Sequence, residues 1–556
     1  MRRVIRATVA LLAVVATLGG APALTAQPKP KFFADDPVWR EVDTQDASKV
    51  ARWNIDLASD LVLNLFVKLG DPAADVRARN VNTVDEVPDS SWYTNRAGRT
   101  ALTPAAIATG PDTGGGPAAG VWSITSAKSD GITPGFTIMD ATGVRWFLKF
   151  DPPGYRGMAT GTEVAVTKLM WALGYHVPEN HIAVLRPEQL ALGAGAKITP
   201  VGEPERAMRI DDVKHLLKRA DREPDGSYRI VASRGLEGRP VGGFRFYDTR
   251  PDDPNDVVPH EHRRELRGYG VFSAWLNHVD AKAINSLDTV VTDNGRSFVR
   301  HHLIDFGSTL GSGGVAPREE WEGFEYMAEP KDIGKGIVSF GAYVKPWRTV
   351  EVYRSPAIGT LVRDNTNFNP DLWRARVPNQ AFLRARADDK FWAATRLAAL
   401  SDDLIRAAVK TGQFGNDEAE QFLVKALCER RDAILRAYLP AINPISMPVL
   451  SPDGVLTFAN AAVAAGVAPA PASYHAVFSS FDNATRDSRR IGDATSTTTE
   501  IRAPAGLPSA SGSYLHVEIS ATSAGHPSWA TPVHAYFKRT ANDWTLVGFE
   551  RMADQK

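Results

Sequence analysis

At 556 residues the chain is too long for one ordinary core, and two or three domains are expected. Apolar residues make up 43% and charged residues 23%, a globular composition that excludes fibrous and disordered classes. Lys plus Arg and Asp plus Glu number 64 each, so no overall field draws the chain to nucleic acid or an anionic membrane, and no nucleic-acid partner is expected.

Arg2, Arg3 and Arg6 precede an apolar run from Ala7 to Gly19, which is shorter than the ~20 residues a membrane span needs. Residues 1–26 therefore read as an export signal, with Leu24-Thr25-Ala26 offering cleavage before Gln27. The competing reading, an uncleaved anchor, is opposed by the interruption at Gly19 and Gly20. The expectation is a periplasmic or extracellular protein with no transmembrane segment in its mature chain. Cys428 is the only cysteine, which rules out an intramolecular disulfide; it lies in the helical pattern Phe422, Leu423, Ala426, Leu427 and reads as a buried inert thiol.

Val50, Trp53, Leu57 and Leu61 recur at helical spacing, predicting a long amphipathic helix over 48–67. Residues 103–120 lack periodicity and read as a linker. Three strand-like runs follow, 121–125, 136–139 and 145–150, with Asp140-Ala-Thr-Gly143 as a hairpin connection. A helix is expected over 162–173, ended by Gly174. From about Ile210 to Leu439 the pattern is mostly helical, with helices predicted at 211–220, 262–276, 388–411 and 416–439. Inside it Asp293-Asn294-Gly295 joins two strand-like runs, 289–291 and 297–304, as a tight hairpin. Pro440, Pro444, Pro448 and Pro452 punctuate a linker, and the alternating segments 514–519, 533–537 and 544–549 then read as antiparallel strands of a separate β domain.

The chemistry is concentrated in Asn277-His278-Val279-Asp280-Ala281-Lys282-Ala283-Ile284-Asn285 and, across the hairpin, Leu303-Ile304-Asp305-Phe306-Gly307. These resemble the protein-kinase catalytic loop and the D-F-G metal motif. Upstream, Lys149 closes a strand-like run and Glu163 opens the next helix, similar to the kinase lysine and its glutamate partner. The resemblance, roughly Gly120 to Leu439, is to the atypical kinases: HipA-type kinases, spore-coat CotH kinases, secreted Golgi kinases and phosphatidylinositol kinases. It departs from typical kinases in lacking a G-x-G-x-x-G loop, where Lys128 and Gly131 are the candidate phosphate contacts, and in having Val279 in place of the H-R-D arginine.

The resemblance implies an α+β, two-lobed kinase-like fold with a small β-rich N-lobe at 118–190 and a larger helical C-lobe at 191–440. A helical extension and linker at 27–117 precede it, and a β domain at 441–556 follows. It implies ATP and Mg²⁺ or Mn²⁺ as cofactors. Asp280 would accept the acceptor's proton, Lys282 would neutralise the migrating phosphoryl group, Asn285 and Asp305 would hold the metal, and Lys149, Glu163, Lys128 and Gly131 would bind nucleotide. The acceptor would be a protein, a glycan or a small hydroxyl compound. Two alternatives stand beside it: a pseudokinase-type binding module of the cell envelope, and transfer of AMP on the same scaffold. Other polar groupings read as structural: His260-Glu261-His262 and His301-His302 as structural or surface histidines, Asp252 to Asp256 as an acidic turn, and Arg263, Arg264 and Arg267 as a solvated helix face.

Overall fold

The three alternating runs after residue 120 pair as an antiparallel meander: β1 (Trp122–Lys128), β2 (Gly135–Met139) and β3 (Arg145–Phe150). This is a computed structural model, and it describes residues 29–73, 75–128, 134–200, 204–328, 338 and 344–552. The expected export signal and Gly131 lie outside those residues, and of Lys128 only the backbone is described. The hairpin connection is built by Asp140, whose carboxylate accepts the amides of Thr142 and Val144 and the Trp146 indole N–H while Gly143 takes φ 82°.

The sheet reaches well past the meander. With β4 (Asn180–Leu185), β5 (Leu190–Ile198), β6 (Arg206–Ala207) and β7 (Tyr228–Arg234) it becomes seven-stranded, in the order β4-β7-β3-β2-β1-β5-β6. A boundary at residue 190 therefore cuts the sheet: β7, from the region expected to be mostly helical, pairs with both β3 and β4. Trp146, Leu148 and Phe150 face a small core shared with Val213, Leu216 and Leu217 of the helix Ile210–Leu217.

The helix Met158–Ala172, four residues longer at its start than its apolar periodicity predicts, is buried along almost its whole length. Its first turn is capped from upstream by Asp151, whose carboxylate accepts the amides of Gly157, Ala159 and Thr160. Downstream come the helix Arg264–Leu276 and a three-stranded sheet of β8 (Arg239–Gly242), β9 (Ser286–Asp293) and β10 (Arg296–Leu303), with β9 central. The expected helix over 388–411 is two, Ala387–Ala398 and Asp402–Lys410, because Ser401 accepts the Leu404 amide and starts a new helix. The helix Asp417–Tyr438 agrees with its periodicity; in it Cys428 is half-buried, and burial pushes its thiol up to about 12.

Further expectations change. The helix predicted over 48–67 is only Leu57–Phe66, capped by Asp56. Val50 instead packs on Val241, Val290 and Val299, and the Trp53 amide donates to Val241 O at 2.8 Å. That close passage requires Gly242 at φ 97°, since a Cβ there would sit 1.8 Å from Trp53 O. The linker expected over 103–120 contains a short helix, Pro104–Thr109. The arginine-rich helix face is not solvated: Arg264 is fully buried and ion-paired with Asp85, Asp388 and Asp389, and Arg267 reaches Asp389 at 2.8 Å.

Beyond residue 444 the strands Ile445–Leu450, Val455–Asn460 and Glu500–Arg502 form one sheet, and Ser473–Phe481, Ser488–Ser496, Tyr514–Thr522, Val533–Arg539 and Trp544–Glu550 another. This β region does not bury its core alone. Leu515, Val517, Trp529 and Phe549 belong to one continuous apolar cluster with Phe391, Leu435 and Leu439. Arg551 donates to Ile445 O at 2.8 Å with its guanidinium 4.0 Å from the Phe391 ring centroid, and the Phe549 amide donates to Thr83 O at 2.8 Å. Phe32 packs among Phe481, Tyr514 and Tyr536.

Candidate active site

The β9–β10 hairpin sets the geometry. Asn285 immediately precedes β9, and full pairing from Arg296↔Asp293 to Leu303↔Ser286 returns the chain beside it, so the Ile304 amide donates to Asn285 O at 3.0 Å. The loop ending at Asn285 and the segment Asp305-Phe306-Gly307 are thereby held side by side.

Strand alternation turns Lys149 to the face opposite Leu148 and Phe150. Its ammonium reaches Glu163 Oε2 at 2.9 Å and Asp305 Oδ1 at 2.8 Å. Burial works to lower the lysine's pKa, but the Asp305 and Glu163 carboxylates outweigh it and hold the group above the ordinary lysine range. Glu163 is buried and fully employed, also accepting the amides of Phe306 at 3.0 Å and Gly307 at 2.8 Å and the Asn180 amide side chain at 3.4 Å. A Cβ at residue 307 would come within 3.1 Å of Glu163 Oε2, so glycine lets the backbone approach. Asp305 sits at φ 65°, in the left-handed region that Asp enters more readily than most residues.

Asp280 is held from three sides. Lys282 Nζ lies 2.7 Å from its Oδ1, Arg376 Nη1 lies 3.4 Å from the same oxygen, and Asn285 Nδ2 donates to its Oδ2 at 3.0 Å. Asn285 also donates to Asp280 O at 2.7 Å, so its amide nitrogen is committed and its amide oxygen lies outside this pair of bonds. Asp305 and Asn285 thus present a carboxylate and an amide oxygen, the hard donors that Mg²⁺ or Mn²⁺ prefers. His278 is buried, bonded through Nδ1 to Thr309 Oγ1 at 3.0 Å, and burial pushes it down to about 4.

Of the residues singled out in the sequence, Lys149, Glu163 and Asp305 form one contact group and Asp280, Lys282 and Asn285 another, joined through the Asn285–Ile304 bond. Sequence reasoning missed Arg376 and Glu322, which pair with each other, and Arg318, which lies 3.7 Å from Glu322 and donates to the carbonyls of Leu310, Ser308 and Ser312. It also missed Asp60, a buried acid of the first helix, whose carboxyl is pushed above its ordinary range by burial in spite of the Arg245 and Lys282 charges. Arg376 is 96 positions from Asp280, and no motif connects them. The other candidate groupings are structural. His260 pairs with Asp256, His301 with Asp288 and His262 with Asp71, all three histidines being buried.

No family model and no curated protein matches this chain. Among solved structures it overlaps the crystal structure of a Helicobacter pylori proinflammatory kinase, CtkA, at 11% identity and a TM-score of 0.26, covering 54% of this chain and 92% of that one. An overlap that loose identifies neither a family nor an activity.

Proposed function

We propose that the chain is an exported phosphotransferase of atypical kinase type, two-lobed, which uses ATP with Mg²⁺ or Mn²⁺ and transfers the γ-phosphate to a hydroxyl of a protein, glycan or small molecule. The observation that carries this reading is the single ammonium of Lys149 bonded at once to Glu163 and Asp305. Kinase catalysis requires both a strand lysine paired to a helix glutamate and an Asp beside it for the metal, and phosphoryl transfer otherwise needs mainly positioning and charge neutralisation.

Asp280 is oriented by Arg376, Lys282 and Asn285 to receive the acceptor's proton, and Lys282 lies beside it to meet phosphoryl charge. Asn285 and Asp305 would hold the divalent ion, which when bound neutralises charge on the phosphates. Lys149 positions phosphate oxygens, and Glu163 fixes both that lysine and the Phe306–Gly307 backbone. Export rests on residues 1–26 of the sequence, and Lys128 and Gly131 remain the proposed cover of the phosphates.

The test is incubation of the purified protein with Mg²⁺ and ATP labelled separately at the γ and α positions. Label from γ on an acceptor, or on the protein itself, supports phosphotransfer; label from α supports AMP transfer. No transfer from either position, across acceptors of all three classes, leaves the binding-module reading.

A further inference from the structure

The strands Tyr514–Thr522 and Val533–Arg539 pair antiparallel with Glu518 opposite His534 and His516 opposite Tyr536. Residues two apart on a strand share a face, and directly paired residues share it too. His516, Glu518 and His534 therefore project together from one side of the second C-terminal sheet. Their ligand atoms all lie within 4.8 Å of one another: His516 Nε2 is 3.0 Å from His534 Nδ1, and His534 Nδ1 is 3.6 Å from Glu518 Oε1. Tetrahedral coordination at about 2.0–2.2 Å from each donor separates neighbouring donors by roughly 3.2–3.6 Å, and the two measured edges fall around that span.

Two further features suit a ligand role. Ser488 Oγ lies 3.3 Å from His516 Nδ1, a partner that can keep the proton on Nδ1 and leave the Nε2 lone pair toward the cluster, as outer groups do around metal-bound histidines. The His516 ring lies nearly parallel to the rings of His534 and Tyr536, with centroids at 5.2 and 4.6 Å, which fixes its plane. His516 is buried, whereas Glu518 and His534 keep side-chain exposures of 39% and 22%, so an ion has a way in and a water can complete its coordination.

We propose that His516, Glu518 and His534 form a binding site for one borderline divalent transition metal, of which Zn²⁺ is the type, with water as its fourth ligand. Two imidazoles and one carboxylate select Zn²⁺ over the hard Mg²⁺ or Ca²⁺, so this site is chemically distinct from the oxygen donors Asn285 and Asp305. It lies beside the seat of the N-terminal segment, because Tyr536, stacked on His516, also accepts a hydrogen bond from Lys31 and packs on Phe32.

The experiment is calorimetric titration of the chelator-treated full-length protein with ZnCl₂ in excess MgCl₂, with Co²⁺ absorption as a second readout of histidine ligation. The expected result is one equivalent bound, with affinity weakened about tenfold or more in each of His534→Ala and Glu518→Gln and unchanged in His475→Ala, a strand histidine paired with Asp493 instead. The two test variants are chosen for their exposure, and circular dichroism checks their fold. No Zn²⁺ binding by the wild type, or wild-type affinity retained in both variants, overturns the proposal.

Discussion

Lys149 Nζ stands 2.8 Å from Asp305 Oδ1 and 2.9 Å from Glu163 Oε2, so one ammonium ties strand β3, the helix Met158–Ala172 and the segment after β10 to a common point. Removing each end has a different consequence. Asp305→Asn takes away a charge that would hold the divalent ion, so metal-dependent ATP affinity and turnover should both fall, turnover by ~10²-fold or more. Asp280→Asn should cut turnover comparably while ATP binding with Mg²⁺ stays near the wild-type value, and Lys149→Ala should fall between them. Calorimetric titration of Mg²⁺–ATP into the three variants decides this, and equal binding by wild type and Asp305→Asn removes the metal role.

Arg376 joins Asp280 to Glu322, and it enters the site from a segment remote in sequence. Arg376→Met keeps much of the side chain's length and loses its charge. The expected outcome under the proposed mechanism is a fall of about tenfold in kcat with the KM for ATP unchanged, because the arginine contacts Asp280, the proposed proton acceptor, and would leave the nucleotide in place. A change in the KM for ATP with kcat intact would contradict that role.

The buried Arg264 carries three carboxylate partners on two other segments. Arg264→Met removes one buried cation from all three carboxylates, leaving Asp85 to Arg77, Asp388 to Arg386 and Asp389 to Arg267, and should destabilise the fold by about 3–5 kcal/mol. The urea midpoint measures it; a shift worth under about 1 kcal/mol would mean that the pairs behave as surface ion pairs do.

Burial pushes His176 and His278 down to about 4 and His302 to about 3. Unfolded, each takes up a proton near pH 6.5, so below that pH the unfolded chain binds more protons and stability falls. The contribution is complete above pH 6.5 and lost progressively toward pH 4 for His176 and His278 and toward pH 3 for His302, on the order of 3–5 kcal/mol per histidine. Melting temperature should accordingly decline from pH 7.5 to pH 5, and a flat profile across that range would show that these imidazoles are not held neutral.

Deleting everything after Ile442 strips Phe549, Trp529 and Arg551 from a core they share with Phe391 and Leu439. The truncated protein should aggregate, and Phe549→Ala in the full chain should cost about 3–5 kcal/mol. A soluble, cooperatively melting truncation would show the two regions to be separable after all.

Sequence legibility followed the range of the interactions. The meander β1 to β3, the β9–β10 hairpin and the helices Arg264–Leu276 and Asp417–Tyr438 are written in local periodicity and turn residues, and so were predictable. The strand β7 was not, because what makes Tyr228–Arg234 part of the sheet is pairing with β3 and β4 across many residues. In the candidate site, Asp280, Lys282 and Asn285 lie within six residues and form a motif, whereas Arg376 joins them only in space. The same limit hid His534: the His516-x-Glu518 alternation puts two donors on one face, but only strand register supplies the third. Arginines 264 and 267 misled because a charged stripe looks alike whether it meets water or buried aspartates.

The seat of Phe32 on the second C-terminal sheet has a consequence for biogenesis. The Phe32 amide donates to Asn483 Oδ1 across 451 positions of sequence, a closure with a high entropic cost and a late place in any folding order. During synthesis, the partners of this early segment emerge only after most of the chain has been made. Residues 31 and 32 therefore stay undocked until Asn483 and the strands around it have been made, and the molecule clasps this segment only as one of its last steps.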